Sequence, residues 1–324
     1  MRFSKTVALA SLIAVSAAQA QGGGGTVNTS CTGVIVGNAC QQAVDFFGYM
    51  APLIGTAMTG GNTTIGQGGN LGGRTLGLIP KVVVSARVNA VLGDVPVFAP
   101  AAGAPGAAKK LTTKSLVLPL PAIDVAVGIF KGIPLGVSSV GGVDLLASAS
   151  YVQKFNNANI TIAPDKAIAI GYGLRVGLLQ ESLIAPGIGL SYLARKFPIT
   201  TLSTTGPSSS MKVDSLDLSS TAMRLTVSKS LLLFGLAAGV GQDTYEASTK
   251  ISATSGVVTV KTPKLTSKVT RTNYFVDVSM NLLVLKIVAT GGMVSGGDIF
   301  TFNGYDKPAN KTRQYASVGV RVGL

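Results

Sequence analysis

From about residue 80 onward the chain alternates between apolar and small or polar residues with a period of two. That period is the strand signature, because successive side chains leave a pleated strand on opposite faces. In 167–179, Ile168, Ile170, Tyr172, Leu174, Val176 and Leu178 share one face, while Ala169, Gly171, Gly173, Arg175 and Gly177 share the other. The stretch 183–195 repeats the design, setting Ile184, Pro186, Ile188, Leu190 and Tyr192 against Ala185, Gly187, Gly189 and Ser191. The same pattern predicts strands over 80–92, 115–130, 143–153, 167–179, 183–195, 219–229, 231–243, 271–282, 284–295 and 314–324, ten in all. A further hairpin over 247–264, rich in threonine and valine, would raise the number to twelve.

The intervening connections alternate in length. Long ones at 93–114, 154–166, 196–218, 244–270 and 296–313 interleave with short ones near 131–142, 180–182, 230 and 283. Long extracellular loops and short periplasmic turns are the rhythm of a transmembrane barrel, and this rhythm places both chain ends on the short-turn side. Composition sharpens the picture. Charged residues make up only 12% of the chain, hydrophobic ones 47%, and the mean hydropathy is +0.46, too little polarity to furnish a water-facing surface. Yet no run of 18 apolar residues supplies a spanning helix. A membrane protein without such helices must close its backbone bonds as a barrel. The expected fold is therefore all-β, a transmembrane antiparallel β-barrel of about ten strands with a short N-terminal helix. Tyr151, Phe155, Phe197, Tyr245, Tyr274 and Tyr315 fall near predicted strand ends, where an interfacial aromatic girdle would sit.

The first 20 residues read as a signal peptide: Arg2 and Lys5, then an apolar stretch over 7–18, then Ala18-Gln19-Ala20 as a cleavage site. Cys31 and Cys40 follow, nine positions apart. In an exported chain a disulfide between them is favoured, contributing roughly 2–3 kcal/mol by loop closure. Two free thiols are the alternative, and a metal site lacks any histidine to complete it. Over 41–58, Val44, Phe47, Met50, Leu53, Ile54 and Met58 recur at helical spacing, predicting a short helix interrupted by Gly48 and Pro52. The glycine-rich run 59–73 reads as a connection without a core of its own. Three parts result: 1–20 the signal peptide, 21–73 a periplasmic or plug segment, 74–324 the barrel.

Histidine is absent throughout, which removes the general base of most hydrolytic mechanisms. Ser228-Lys229-Ser230 reads as a turn, and the glycines around Gly171-Tyr172-Gly173 and over 235–241 lack the Gly-Lys-Ser/Thr of a phosphate loop. No catalytic, cofactor-binding or metal-ligating residues are expected. The alternation instead places Arg87, Asp124, Asp144, Arg175, Arg224, Asp277, Lys286 and Arg321 on the inward faces, since a lipid-facing charge costs roughly 2–4 kcal/mol near the midplane. They would form either salt bridges across the lumen or a mildly cationic path. Inward glycines are dense, among them Gly128, Gly171, Gly177, Gly187, Gly189 and Gly319. They would either make room for the 41–58 helix as a plug or relieve curvature in the wall. Net charge is +14, two less once Arg2 and Lys5 leave. The long-loop side holds 16 Lys or Arg against 8 Asp or Glu, which suits anionic lipopolysaccharide. Nucleic acid is a poor partner for an exported chain without a basic helix or stacking surface.

The last stretch, Ala316, Val318, Val320, Val322 and Leu324 alternating with Ser317, Gly319, Arg321 and Gly323, resembles the C-terminal targeting strand that the barrel assembly machinery reads. It ends on Leu324 where an aromatic is usual. The chain as a whole resembles a family of uncharacterised bacterial outer-membrane barrels and, more loosely, the long-chain fatty acid transporters. The resemblance is carried by Tyr49-Met50-Ala51-Pro52 with the glycine run to Leu71-Gly72-Gly73, by Leu118-Pro119-Leu120-Pro121 with Val127-Gly128-Ile129-Phe130-Lys131-Gly132, by Tyr192-Leu193-Ala194-Arg195-Lys196-Phe197, and by Val227-Ser228-Lys229-Ser230. It implies an outer-membrane barrel whose N-terminal segment acts as a hatch, although the transporters are longer and have more strands. The functions that fit are passive passage of a small hydrophobic or amphipathic molecule, or a structural or adhesive surface barrel whose basic loops bind lipopolysaccharide or a partner. A soluble β-sandwich would need polar outer faces.

Overall fold

The computed structural model describes residues 24–323 apart from 33–35, 73, 76–78, 101–102, 158–159 and 207–208. The expected signal peptide and Leu324 of the C-terminal strand lie outside the described residues.

Among the described residues ten strands form one closed antiparallel ring: β1 (Val82–Pro96), β2 (Thr113–Phe130), β3 (Gly142–Tyr151), β4 (Ile168–Leu179), β5 (Gly187–Lys196), β6 (Ser209–Leu231), β7 (Phe234–Ser255), β8 (Leu265–Leu282), β9 (Leu285–Ser295) and β10 (Arg313–Gly323). Each bonds to its neighbour in sequence, and β10 returns to pair with β1, Gly323 opposite Val83 and Gln314 opposite Leu92. The fold is an up-and-down barrel, the one sheet architecture that leaves no edge in a hydrocarbon solvent.

The alternation has a phase, and the phase inverts along the long strands. On the lower half of β7, Phe234, Leu236, Ala238 and Val240 face out while Ala237 and Asp243 are buried. Past the exposed Gln242 the sense reverses: Tyr245, Ala247, Ile251 and Ala253 are buried, and Glu246 and Lys250 face out. A wall in lipid wants its apolar residues outside, and a wall in water wants them inside. The inversion therefore marks the level at which the strands leave the membrane.

Above that level the structure departs from the sequence reading. Strands β6, β7 and β8 run far past 219–229, 231–243 and 271–282, and their apolar residues there pack inward. A bulge between Asp214 and Asp217, with Ser215 at φ 52°, shifts the phase of β6, so Met211 and Val213 above it and Leu216 and Leu218 below it all point inward. The additional hairpin expected in 247–264 exists, but Val258–Lys261 folds back on Ser252–Ser255 beyond the ring, so the wall keeps ten strands. The turn expected at residue 230 lies at Leu231–Phe234, which leaves Ser228-Lys229-Ser230 inside β6.

Inside the ring stands α1 (Gly37–Thr59), 23 residues without a break. Gly48 and Pro52 do not interrupt it, although proline removes a backbone bond in a helix interior. Twenty of its residues are buried, the condition in which packing on all sides overrides propensity. Its N-terminal end lies among the long connections: Asn38 N donates to Gly103 O at 3.0 Å, and Gly25 N to Thr301 O at 3.0 Å. From its C-terminus, residues 60–72 thread down the lumen to the opposite end, where Gly66 lies against Lys286 and Val288, and Gly72 against Lys81. The two ends of the described chain are thus on opposite sides, not together on the short-turn side: Gly24 bridges to Thr301 in a long loop, whereas Gly323 pairs near the start of β1. An epitope placed immediately before Gly24 should be reached on intact cells together with one at Gly256 in the β7–β8 loop, and not with one at Gly136 in the β2–β3 turn. Accessibility that tracks Gly136 would show the thread running the other way.

Candidate functional site

The lumen is organised by the end of α1. The last carbonyls of a helix have no partner within it and carry the negative end of its dipole. Here the wall supplies the partners. Asn89 Nδ2 donates to Ala57 O at 2.7 Å, Arg224 Nη2 to Thr59 O at 3.0 Å and Arg87 Nη1 to Gly60 O at 3.0 Å. Both arginines are in turn ion-paired, Arg87 Nε with Asp124 at 2.8 Å and Arg224 Nη1 with Asp243 at 2.5 Å. Asp243 also accepts from Thr59 Oγ1 and Asn273 Nδ2 at 3.0 Å each and from the Tyr245 hydroxyl at 3.2 Å.

Lower down, the thread is clasped in the same way. Asp277 accepts from Asn62 Nδ2 at 3.0 Å, from Gly66 N at 2.9 Å and from Thr290 Oγ1 at 2.7 Å. Asp144 accepts from Leu71 N at 3.1 Å and from Arg175 Nε at 2.8 Å. Lys286 Nζ donates to Gly66 O at 3.2 Å and Arg321 Nη1 to Ile65 O at 3.2 Å, with Gln67 a second partner of Arg321. The structure buries Arg87, Asp124, Asp144, Arg175, Arg224 and Asp277 and sets the half-buried Lys286 and Arg321 against the thread; it also buries Asp94, Arg195, Asp243, Arg271 and Arg313. The added residues lie at or beyond the expected strand ends. Arg195, two positions after Leu193, and Asp243, two after Gly241, are the last residues of their expected strands and already have the inward parity.

Most of these inward glycines accommodate the thread, and Gly93 accommodates Leu53 of the helix. A Cβ at Gly189 would overlap Gly68, one at Gly128 would overlap Gly72, and ones at Gly142 and Gly177 would overlap the Asn70 side chain. Others make room within the wall, Gly171 for Arg195 and Gly239 for Phe275. The aromatic girdle is only partly present. Tyr151 and Tyr274 face out, but Tyr245, Tyr315 and Phe197 are buried inward, as the parity of their strands requires.

At the loop end a disulfide joins Cys31 to Cys40 beside the first turn of α1. Asp45 of α1 accepts from Phe302 N at 2.8 Å and from Asn303 N and Nδ2 at 3.0 and 2.7 Å, which ties the helix to the β9–β10 loop. Burial pushes the Asp45 carboxyl above its ordinary value, against the effect of those donors. Among the described residues no group of three His, Cys, Asp or Glu is placed to hold a metal.

Beside β2 the ladder of the wall is interrupted. Strand β2 pairs with β1 from Thr113 to Val127, but with β3 only from Ala122 to Phe130. Above Tyr151 the chain leaves the ring, and Phe155–Asn157 begins a separate run of short strands through Ile160–Pro164 and Thr200–Thr205 to β6. Between Phe155–Asn157 and residues 113–121 of β2 there is no ladder. The sequence is built for such an edge. Gly128 and Thr112, both even-numbered, bond towards β1, so odd-numbered positions of β2 face the open side. Pro119 and Pro121 are odd, and their missing N–H groups fall on that side, the place where proline is tolerated in a sheet. The slot holds a cavity of about 90 Å³ with an apolar lining that includes Leu120, Val152, Ile162 and Phe197, and it reaches Ile54 and Ala57 of α1.

A closed ring whose outer residues are apolar over a band, and whose buried charges turn into the lumen, is built for a bilayer. The fold is that of bacterial outer-membrane β-barrels. No family model matches the sequence, and no curated protein matches it. Solved structures do. Ail, the attachment invasion locus protein of Yersinia pestis, solved with the heparin analogue sucrose octasulfate, aligns over 76% of this chain and 99% of its own at 9% identity and TM-score 0.25. The translocator domain of the autotransporter NalP from Neisseria meningitidis covers 75% and 88% at 10% identity and TM-score 0.38. The Pseudomonas putida toluene transporter TodX covers 83% and 96% at 10% identity and TM-score 0.20. At these values the identification rests on the wall itself: its closure, its outward apolar band and its inward charges.

Proposed function

We propose that this barrel is a non-enzymatic membrane protein that takes small hydrophobic or amphipathic molecules from the surrounding lipid into the slot beside β2, with α1 and residues 60–72 acting as a plug. The slot carries the reading. It is a stretch of wall without a ladder, it is lined by apolar side chains, and its floor is the helix that fills the lumen. The inward charges serve as the clasp of the plug, and the C-terminal strand Ala316, Val318, Val320 and Val322 as the segment offered to the barrel assembly machinery.

Titrating the purified barrel with dansyl-undecanoic acid tests the proposal. Saturable binding is expected, and Ala57→Phe, which fills the slot with a side chain it cannot shed, should weaken it at least about tenfold, or about 1.4 kcal/mol. Binding that is absent, or equal in the two proteins, removes the slot as the site.

A second reading rests on the blade that β6, β7 and β8 raise beyond the membrane level. Lys250, Lys264 and Lys268 are exposed there, as a surface for lipopolysaccharide phosphates or another polyanion would require. Binding to lipopolysaccharide that weakens steeply with salt would favour it.

A further inference from the structure

The short-turn end of the barrel is apolar where turns in water are ordinarily polar. Leu183 and Ile184, Leu232 and Leu233, and Leu283 and Val284 occupy the tips of the β4–β5, β6–β7 and β8–β9 turns, all exposed, with Leu183, Leu232 and Leu283 bare of any covering. Leu232 and Leu283 also sit at φ 48° and 52°, in the left-handed region where a hairpin in water takes Asn, Asp or Gly. Leucine is therefore kept at both positions against backbone preference. The polar side chains nearby are engaged with the turns themselves, Asn281 Nδ2 donating to Leu232 O at 2.9 Å. Lys229 Nζ donates to the carbonyls of Ser182, Leu183 and Ala185 at 2.6, 2.7 and 3.3 Å. Lys286 reaches inward to Gly66, and Glu181 accepts from Ser228 Oγ at 2.9 Å.

The height of the apolar band gives an independent reason. On β7 it runs from Phe234 to Val240 and is stopped by the exposed Gln242. On β8 it stops above Tyr274, with Thr270 bonded to Thr244 at 3.0 Å on the outer surface. A tilted strand advances about 2.5 Å per residue along the barrel axis, so Ile168 to Leu178 of β4 covers the roughly 25 Å that an outer membrane presents, whereas on the β7–β8 side Phe234 to Val240 spans only about 15 Å of it. The band cannot extend upward through Gln242 and the paired threonines. On that side of the barrel the tips at 232–233 and 283–284 are the remaining apolar surface below the band.

We propose that the tips at 183–184, 232–233 and 283–284 lie among the acyl chains of the leaflet on the turn side, so that this end of the barrel is sunk in lipid and does not stand in water. Lys81 and Lys131, the exposed cations at the same end, reach past the acyl region to the headgroups.

The chain contains no tryptophan, so a single one introduced at a tip reports alone. Leu232→Trp and Leu283→Trp, refolded into phosphatidylcholine vesicles, are to be compared with Val257→Trp in the fully exposed far hairpin. Phosphatidylcholine brominated on its acyl chains is expected to remove most of the emission at 232 and 283 and little at 257, and aqueous iodide to do the reverse. Quenching of the tips by iodide would overturn the proposal. Protection from both quenchers would also overturn it, because the tips would then be covered by a second copy. Leu232→Asn and Leu283→Asn supply a second measurement: they should lower the urea midpoint in vesicles, and a raised midpoint, from relief of the backbone in water, counts against lipid burial.

Discussion

Replacing Arg224 by methionine is expected to cost about 3–5 kcal/mol of folding stability, the cost of leaving a buried carboxylate without its cation. Asp243 and Arg224 are both fully buried, and no solvent is near enough to take over. The helix also loses a partner at Thr59 O, so the damage reaches the plug as well as the wall. Adding Asp243→Asn should recover most of the loss, because the amide oxygen can still accept from Thr59, Tyr245 and Asn273 while the stranded charge is gone. Urea titration of the barrel in vesicles, followed by its heat-modifiable migration on gels, reads both variants. A single variant as stable as the parent would mean that the pair does not hold the lumen together.

The largest functional change is expected from removing the plug. Deleting residues 21–70 takes away α1 and most of the thread, and with them the partners of Arg87, Asn89, Arg224 and Asp277. The vacated lumen would be lined by charges of both signs and would fill with water. In planar bilayers the intact protein should be silent and the deletion should give steady, ohmic conductance. Equal conductance in the two proteins would remove α1 and the thread from the role of plug. The experiment is separable from the slot, since dansyl-undecanoic acid binding is read without any current.

The wall was legible because lipid imposes one rule on every strand, and Ile168 to Leu178 obey it without exception. The blade was not, because above the membrane the rule changes sign: Met211, Val213, Ile251 and Ala253 turn inward and the alternation continues in opposite phase. Read as part of a loop, those residues carry no signal. Read together with Val240 and Gln242, they give the waterline. Tyr245 and Tyr315 were misplaced for a related reason. Position near a strand end suggested the interface, whereas parity, counted from Gly241 and Ser317, already pointed them inward. The path of the thread was beyond reach altogether. Residues 60–72 have no periodicity, and what fixes them is the distribution of inward glycines and acids on strands more than 50 residues away in sequence, with Asp277 reaching back to Asn62 across 215 positions. Pro119 and Pro121 lie between these cases. Two prolines of equal parity announce a strand edge, but only the topology shows that the edge opens on the helix.

The lumen is filled by the very residues that precede the first strand, and this sets an order of events. A ring that shuts by joining β10 to β1 cannot admit α1 afterwards, since the disulfide-closed turn and the 23-residue rod would have to be drawn past the clasps of Arg87, Asp243 and Asp277. The oldest part of the chain must therefore already lie across the gap while the seam is still open, with the remaining strands laid down around it as staves around a peg. Biogenesis of this molecule is a wrapping and not an insertion, and its last act is the hydrogen-bonding of its newest strand.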